Sequence, residues 1–414
     1  MSSNESLLKT LVEVHSGPDN IAGVDRVQGI LRAELEKLGF VCQLVANPKA
    51  DIRCGHLLVG TLKGKSPQCV TFVTHADTLE AGAAPTTRYT SDGVTALGQG
   101  VVDDKGGQVV ALSGIQKYLQ KNSTPEFTLR FVSAPSEEKG SPGFQSTFKT
   151  FSEGSVLVLG FEPSFEDGSI IDSRKGNRWY EIRVQGLEAH SGRAFEEGVN
   201  AAHELIDKLA QIQKLTNLKK QITVNVGAIA AGRDRYNVVA GEAVAKVDVR
   251  FVTLKDREQV HAAITKILKP VLYRSKKSKV AAQTSFEIVD DCPPMMLAPQ
   301  SKTFVQTYLK ILQKIENRKL KSVQSGGAAD SCYMSREGLV LIDGLGATGA
   351  GMHTANESLQ IASLETRSQA LAEFLDQATG LLQKSAGKSA ASKSARSSPR
   401  SSKPKSKRRP KGRK

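Results

Sequence analysis

The chain has 414 residues, with 57 Lys and Arg against 42 Asp and Glu and a formal net charge of +15. Thirteen of those bases and none of the acids fall in residues 384–414, so the first 383 residues are nearly neutral at +2. With no apolar run near the roughly 20 residues of a membrane span, and no basic, apolar leader at Met1-Ser-Ser-Asn-Glu-Ser, neither a transmembrane segment nor a secretory signal is expected. Cys42, Cys54, Cys69, Cys292 and Cys332 are odd in number and lack CxxC spacing, which predicts reduced thiols in a cytoplasmic protein and not a disulfide framework. A body of about 380 residues exceeds what one core usually serves, so two domains are expected.

In chain order, Asp25 to Leu38 carries apolar residues at helical spacing and stops at Gly39. Cys69-Val-Thr-Phe-Val-Thr and Phe127-Thr-Leu-Arg-Phe-Val read as β-branched strands, with a helix from Gly106 to Leu119 between them. Ser155-Val-Leu-Val-Leu-Gly reads as a further buried strand. Strands alternating with helices predict an α/β domain with a mainly parallel sheet. Near residue 178 the pattern changes to strand, helix, strand, strand, helix, strand: Trp179 to Val184, His203 to Leu215, Gln221 to Ala228, Ala243 to Phe251, Asp256 to Leu268 and Phe286 to Val289. That order predicts a self-contained α+β, ferredoxin-like unit. A helix from Ser301, a strand at Gly338 to Ile342 and a final helix from Ser363 to Leu382 follow. The expected organisation is one α/β domain, residues 1–177 and 291–383, interrupted by an insert at 178–290. Residues 384–414, rich in Lys, Arg and Ser without large apolar side chains, are expected to be disordered. Such a tail attracts nucleic acid or other polyanions without sequence specificity.

Acids and histidines recur where the predicted strands end. His75-Ala-Asp77, Asp103-Asp-Lys-Gly-Gly, Glu137-Glu138, Glu162-Pro and His353 occupy five such segments. Ligands of open α/β sheets bind beyond the carboxyl ends of the strands, so these segments are expected to converge. Imidazoles together with carboxylates make a donor set suited to Zn²⁺.

The motifs that hold these residues are collinear: His75-Ala-Asp-Thr, Gly100-Val-Val-Asp-Asp-Lys-Gly-Gly, Ser136-Glu-Glu-Lys-Gly, Phe161-Glu-Pro-Ser, Gly186-Leu-Glu-Ala-His-Ser-Gly, Tyr236-Asn-Val-Val, Asp248-Val-Arg-Phe, Gly326-Gly-Ala-Ala-Asp and Gly351-Met-His-Thr-Ala-Asn-Glu. Over residues 1–383 the chain resembles the co-catalytic zinc metallopeptidases, the family of glutamate carboxypeptidase (carboxypeptidase G type), acetylornithine deacetylase, succinyl-diaminopimelate desuccinylase and aminoacylase. The resemblance is nearest to the glutamate carboxypeptidase branch. It implies two Zn²⁺ per subunit, or Co²⁺ or Mn²⁺, with Asp103 bridging, His75 and Glu162 on one ion, and Glu138 and His353 on the other. It implies Glu137 as general base for an attacking water, Asp77 as the group orienting His75, and the insert as a lid and dimerisation domain. His190 would stabilise the oxyanion, from the partner subunit in many relatives, while Arg250 and Asn237 would hold a substrate carboxylate and Gly326 and Gly327 would admit its backbone.

The implied reaction is hydrolysis of an amide beside an amino acid with a free carboxylate, glutamate being the nearest guess. An N-acyl amino acid deacylase or dipeptidase of the same family is the alternative, and a polyanion-binding protein acting through the tail is the alternative from another class. Asp104 departs from the glutamate carboxypeptidase pattern, in which Met is usual. Cys332 has no base in its motif and is expected to be packing.

Overall fold

The computed structural model describes residues 1–79 and 88–396, with side chains described as far as residue 382. Six strands form the main sheet in the order Val41–Val45, Leu57–Leu62, Phe127–Ala134, Ser66–His75, Ser155–Gly160 and Val340–Ile342. Ser66–His75 pairs in parallel with both neighbours, and Val340–Ile342 pairs in parallel with Ser155–Gly160. The carboxyl ends of these four strands therefore open on one edge.

Both faces of the sheet are covered, as the alternation of adjacent side chains requires. Phe72 packs into a core with helices Ser3–Val12, Ile21–Lys37, Lys105–Lys121, Ser301–Glu316 and Ile361–Arg396, whereas Val73 points to the opposite core around Phe144, Phe148 and Met334. Near-continuous apolar strands such as Ser155-Val-Leu-Val-Leu-Gly are the consequence.

The second unit is a four-stranded antiparallel sheet in the order Thr223–Ala231, Glu242–Phe251, Gly176–Gln185 and Gln283–Cys292. Helices Ala201–Ile212 and Leu254–Leu268 cover one face, and Tyr180, Ile182, Val247, Val249, Leu205 and Ile264 close a separate core there. The chain is thus an α/β fold with a mainly parallel, helix-flanked sheet, interrupted by a ferredoxin-like unit. The two crossing segments are tied to each other, Arg174 N donating to Met295 O at 2.9 Å and Met295 N to Arg174 O at 3.1 Å.

Several elements run longer than the sequence pattern predicts. The helix expected from Asp25 starts at Ile21, because Asn20 caps it by accepting from Gly23 N at 3.2 Å. Strands Val41–Val45, Leu57–Leu62 and Ile170–Arg174 were not expected from the pattern. The first is mostly exposed, the second is interrupted by Gly60, and the third is short. The final helix is assigned over Ile361–Arg396 and enters the segment expected to be disordered. Ala386, Ala390, Ala391 and Ala395 favour helix there, and no proline intervenes before Pro399. Residues 397–414, where most of the predicted polyanion-binding tail falls, lie outside the described residues. Among the described residues no helix is long and apolar enough to cross a membrane.

Helix Lys105–Lys121 meets the final helix at Gly114, where an added Cβ would lie 2.5 Å from Leu371 Cδ2 and 2.9 Å from Leu371 Cβ. A larger residue must push the helices apart. Gly114→Val is expected to lower stability by about 1–3 kcal/mol, the usual cost of overpacking, read from the urea midpoint at unchanged m-value.

Candidate functional site

His75 ends its central strand, Glu137 and Glu138 follow Phe127–Ala134, and Glu162 follows Ser155–Gly160, all on the open edge of the parallel strands. Asp103 arrives on the loop before helix Lys105–Lys121, and His353 on the loop after Gly349–Ala350. The result is two groups of potential metal ligands sharing one carboxylate: His75, Asp103 and Glu162, and Asp103, Glu138 and His353.

Asp103 faces both ways. Its Oδ1 is 3.0 Å from His75 Nε2, and its Oδ2 is 3.3 Å from His353 Nε2. Glu162 Oε1 lies 3.7 Å from His75 Nε2, and Glu138 Oε2 lies 3.3 Å from His353 Nε2. His353 holds φ at +63°, a left-handed conformation that a non-glycine residue seldom adopts and that turns its ring inward here.

The electrostatics favour cations. Hydrogen bonds to Asp103 and Glu138 raise His353 to about 10, and burial together with the charge of Asp103 raises Glu162 to about 8. Burial also raises Glu137 well above the usual carboxylate range, with the charge of Glu162 adding to it. Asp103 is held low by both histidines, against the effect of burial. The carboxylates outnumber the histidines, and each group of three pairs one imidazole with hard oxygens. That donor set and its excess negative charge fit divalent ions such as Zn²⁺.

The supporting contacts refine the expected roles. The nearest acceptor to His75 Nδ1 is the Asp77 backbone carbonyl at 2.9 Å, while the Asp77 carboxylate stands at 3.4 Å. That carboxylate accepts the backbone N–H groups of Glu137 and Glu138, each at 3.0 Å, and so fixes the turn that carries them. Asp77 thus orients the imidazole mainly through its main chain. Asp104 is fully buried and accepts His75 N at 3.1 Å, and burial pushes its carboxyl well up. A Cβ on Gly107 would lie 1.9 Å from Asp104 Oδ1 and 2.1 Å from Phe161 O, so this helix start can approach the strand only with glycine there.

Arg250, from the interrupting unit, reaches a pocket of about 210 Å³ that Glu137, Glu138, His353 and Gly327 also line. Its Nε donates to both oxygens of Asp248, at 3.0 and 2.9 Å. At Gly326 an added Cβ would meet nothing within 4 Å, and at Gly327 it would come no closer than 3.7 Å, to Ser325 Oγ. No neighbouring packing among the described residues therefore demands glycine at either position. His190 and Asn237 are not brought to this pocket. They are exposed at the tip of the interrupting unit, joined through Ser191 N to Asn237 O at 3.0 Å.

Three supporting residues escaped the sequence reading. Glu357, almost fully buried, accepts Gly100 N at 2.6 Å, Val102 N at 2.9 Å and Asp103 N at 3.0 Å, and so holds the Asp103 loop. Its only sequence signal was its place at the end of the His353 motif. Arg174 donates to Asp343 Oδ2 at 2.8 Å and to Gly327 O at 3.3 Å, and lies 4.0 Å from Glu162 Oε2. Arg174 and Asp343 are far apart in sequence and carry no local signal. Cys332 is buried beneath the sheet in the same core as Cys292, as packing would have it.

Known proteins resemble this chain over most of its length. The family model described as a peptidase dimerisation domain matches residues 172–276, and that of peptidase family M28 matches residues 58–178. Carboxypeptidase G2 of Pseudomonas sp. (strain RS-16) is 26% identical over 351 residues, 84% of this chain and 82% of that protein. Succinyl-diaminopimelate desuccinylase of Magnetococcus marinus is 22% identical over 84% of this chain and 92% of its own length. Among solved structures, an M20 family metallo-carboxypeptidase of Sulfolobus solfataricus superposes with a TM-score of 0.72 at 16% identity, over 91% of this chain and 99% of that one. The chain resembles the zinc metallopeptidase family of carboxypeptidase G2 and succinyl-diaminopimelate desuccinylase over most of its length, and these matches support that likeness. It is a metallopeptidase or amidohydrolase.

Replacing Glu357 by Ala strands three buried backbone N–H groups, each costing roughly 1–3 kcal/mol if unmet by water. Glu357→Ala is expected to lower the melting temperature and to weaken retention of an added divalent metal against a chelator about 10- to 100-fold, the usual effect of removing a group that orients ligands.

Proposed function

We propose that the protein is a dinuclear zinc hydrolase of carboxypeptidase type, cleaving the amide bond before an amino acid with a free α-carboxylate. The observation that carries this reading is Asp103, with one oxygen toward His75 and the other toward His353, beside a pocket shared by Glu137 and Arg250. Two Zn²⁺ per subunit, or Co²⁺ or Mn²⁺ in their place, would be held by His75, Asp103 and Glu162 and by Asp103, Glu138 and His353. When bound, such ions supply Lewis acidity toward the scissile carbonyl and make water a stronger acid.

The chain's own residues divide the remaining work. Glu137 accepts a proton from the attacking water and delivers it to the departing amine. Its neighbour Glu138 is directed to His353 while Asp77 pins both backbone N–H groups, so adjacent carboxylates serve different partners. Arg250, aligned by Asp248, offers the guanidinium fork suited to the substrate carboxylate. Gly326 and Gly327 leave room for substrate backbone. Glutamate is the sequence expectation for the released amino acid. An N-acyl amino acid deacylase or a dipeptidase would use the same residues.

Residues 1–177 and 291–383 would form the catalytic domain and 178–290 the lid, with the chain working as a homodimer through the lid. Two observations support the dimer. The dimerisation-domain match covers the lid, and edge strand Thr223–Ala231 leaves Ile229 and its alanine neighbours exposed. An open edge of this kind invites pairing with a second copy. His190 and Asn237, exposed at the lid tip, would then complete the partner's site, His190 at the oxyanion. Five free cysteines are in keeping with a cytoplasmic location.

Glu137→Ala is expected to retain its metal and melting temperature and to lose at least about 100-fold in kcat on an N-acyl amino acid; retained turnover would remove Glu137 from the mechanism. Mixing Glu137→Ala chains with His190→Ala chains is expected to restore about a quarter of wild-type activity, since one site of each mixed dimer of a two-fold assembly is then intact. No recovery would place His190 in its own chain's site.

A further inference from the structure

The open face of the lid sheet carries a row of side chains leading away from the catalytic pocket. Arg250 stands opposite Asn177, Asp248 opposite Trp179, and Lys246 opposite Glu181. Tyr180, Val247 and Val249, between them in sequence, point into the lid core, so Trp179, Asp248 and Arg250 share the other face. Trp179 is the chain's single tryptophan. It is half-buried and lines two spaces at once. One is the pocket of about 210 Å³ with Glu137 and Arg250, and the other is a depression of about 390 Å³ toward Gly227, Val247 and Val289.

The two directions differ in lining, the second having an aromatic and aliphatic wall at Trp179 and Val289. The catalytic pocket presents Glu137, Glu138, Asp290 and Asp330, and Arg250 is the one arginine or lysine lining it among the described residues, His353 being directed to Asp103 and Glu138. If Arg250 takes the α-carboxylate, no second arginine or lysine of this pocket remains for a carboxylate on the substrate's side chain, which would face Glu137, Glu138, Asp290 and Asp330. The next cation along the row, Lys246, lies four residues from Arg250, roughly 13–14 Å at the rise of a β-strand. That is beyond the reach of a glutamate whose α-carboxylate is on Arg250. The depression behind Trp179 is lined by Glu181, Lys246 and Asp248 as well as by the indole, by Val289, which is 56% exposed, and by Gly227, where an added Cβ would meet nothing closer than 3.6 Å. A flat aromatic wall with open space beside it suits stacking and apolar burial.

We infer that Trp179 is a specificity-determining residue, and that with the depression behind it Trp179 receives the side chain of the amino acid released, which is large and apolar or aromatic in place of glutamate. The inference rests on the proposed role of Arg250 and deepens that reading. The orientation is set at Arg250, and the side chain then runs along the sheet toward Trp179.

The test uses the full chain with zinc bound and three probes: N-acetyl-L-phenylalanine, N-acetyl-L-leucine and N-acetyl-L-glutamate. Wild-type kcat/KM is expected to favour the phenylalanine compound over the glutamate one roughly tenfold or more. Trp179→Ala should lose most of that ratio through KM, and Trp179→Phe should keep it. Because the chain has one tryptophan, the emission of the Glu137→Ala protein reports on this wall directly. It should shift saturably with the phenylalanine compound at concentrations where the glutamate compound has no effect. A preference for glutamate, or a ratio unchanged in Trp179→Ala, would overturn the inference. Failure of the underlying reading looks different: no N-acetyl amino acid would be hydrolysed whatever its side chain, and Arg250→Ala would leave kcat/KM unaltered on any substrate that is turned over.

Discussion

The position of Asp103 is the constraint on which the rest of the site depends. One carboxylate must serve two histidines far apart in the sequence, so its backbone has to be held in place. Glu357 does this by accepting the backbone N–H groups of Gly100, Val102 and Asp103, and burial raises its own carboxyl to about 7. Around that point the fold gathers Glu137, Glu138 and Glu162 at the carboxyl ends of parallel strands. Such crowding of like charge is unfavourable in itself. It is sustained by the histidines and by Arg174, and divalent ions, which the donor set fits, would add to this.

The second organising feature is the neck between the two units. Arg174 and Met295 exchange backbone hydrogen bonds where the chain leaves and re-enters the main domain, and the Arg174 side chain extends from that neck to Asp343, Gly327 and Glu162. Burial works against the charge of Arg174, but Asp343 and Glu162 keep it firmly protonated. The guanidinium thus ties the attachment of the interrupting unit to the glycine loop and to one candidate metal ligand. Arg250 sits in the interrupting unit and Glu137 in the main domain, so the proposed binding and proton transfer would meet in one pocket only while the neck keeps its shape.

Local chemistry accounts for what was legible in the sequence. Strand ends, helix starts and acid or histidine motifs follow from short-range patterns, and His75, Asp103, Glu138, Glu162 and His353 stood out because each sits in such a pattern. The Asp77 carboxylate was less legible, because its partners are backbone N–H groups of a turn some sixty residues away. Glu357, Arg174 and Asp343 are ordinary charged residues until the chain folds. Leu57–Leu62 and Ile170–Arg174 escaped because Gly60 and short length blur the strand period.

The sequence by itself determined the class of fold, the order of its units and the residue types able to hold metal, because hydrophobic period and motif spacing are properties of neighbouring residues. Tertiary structure alone decided which oxygen of Asp103 faces which histidine, which carboxylates are pinned by backbone, and that His190 and Asn237 stand clear of their own chain's pocket while Arg250 reaches it. It also decided that Trp179 lies between the pocket and open space on the lid. These depend on strand register and on the packing of one unit against the other, which bring together residues that no local pattern relates.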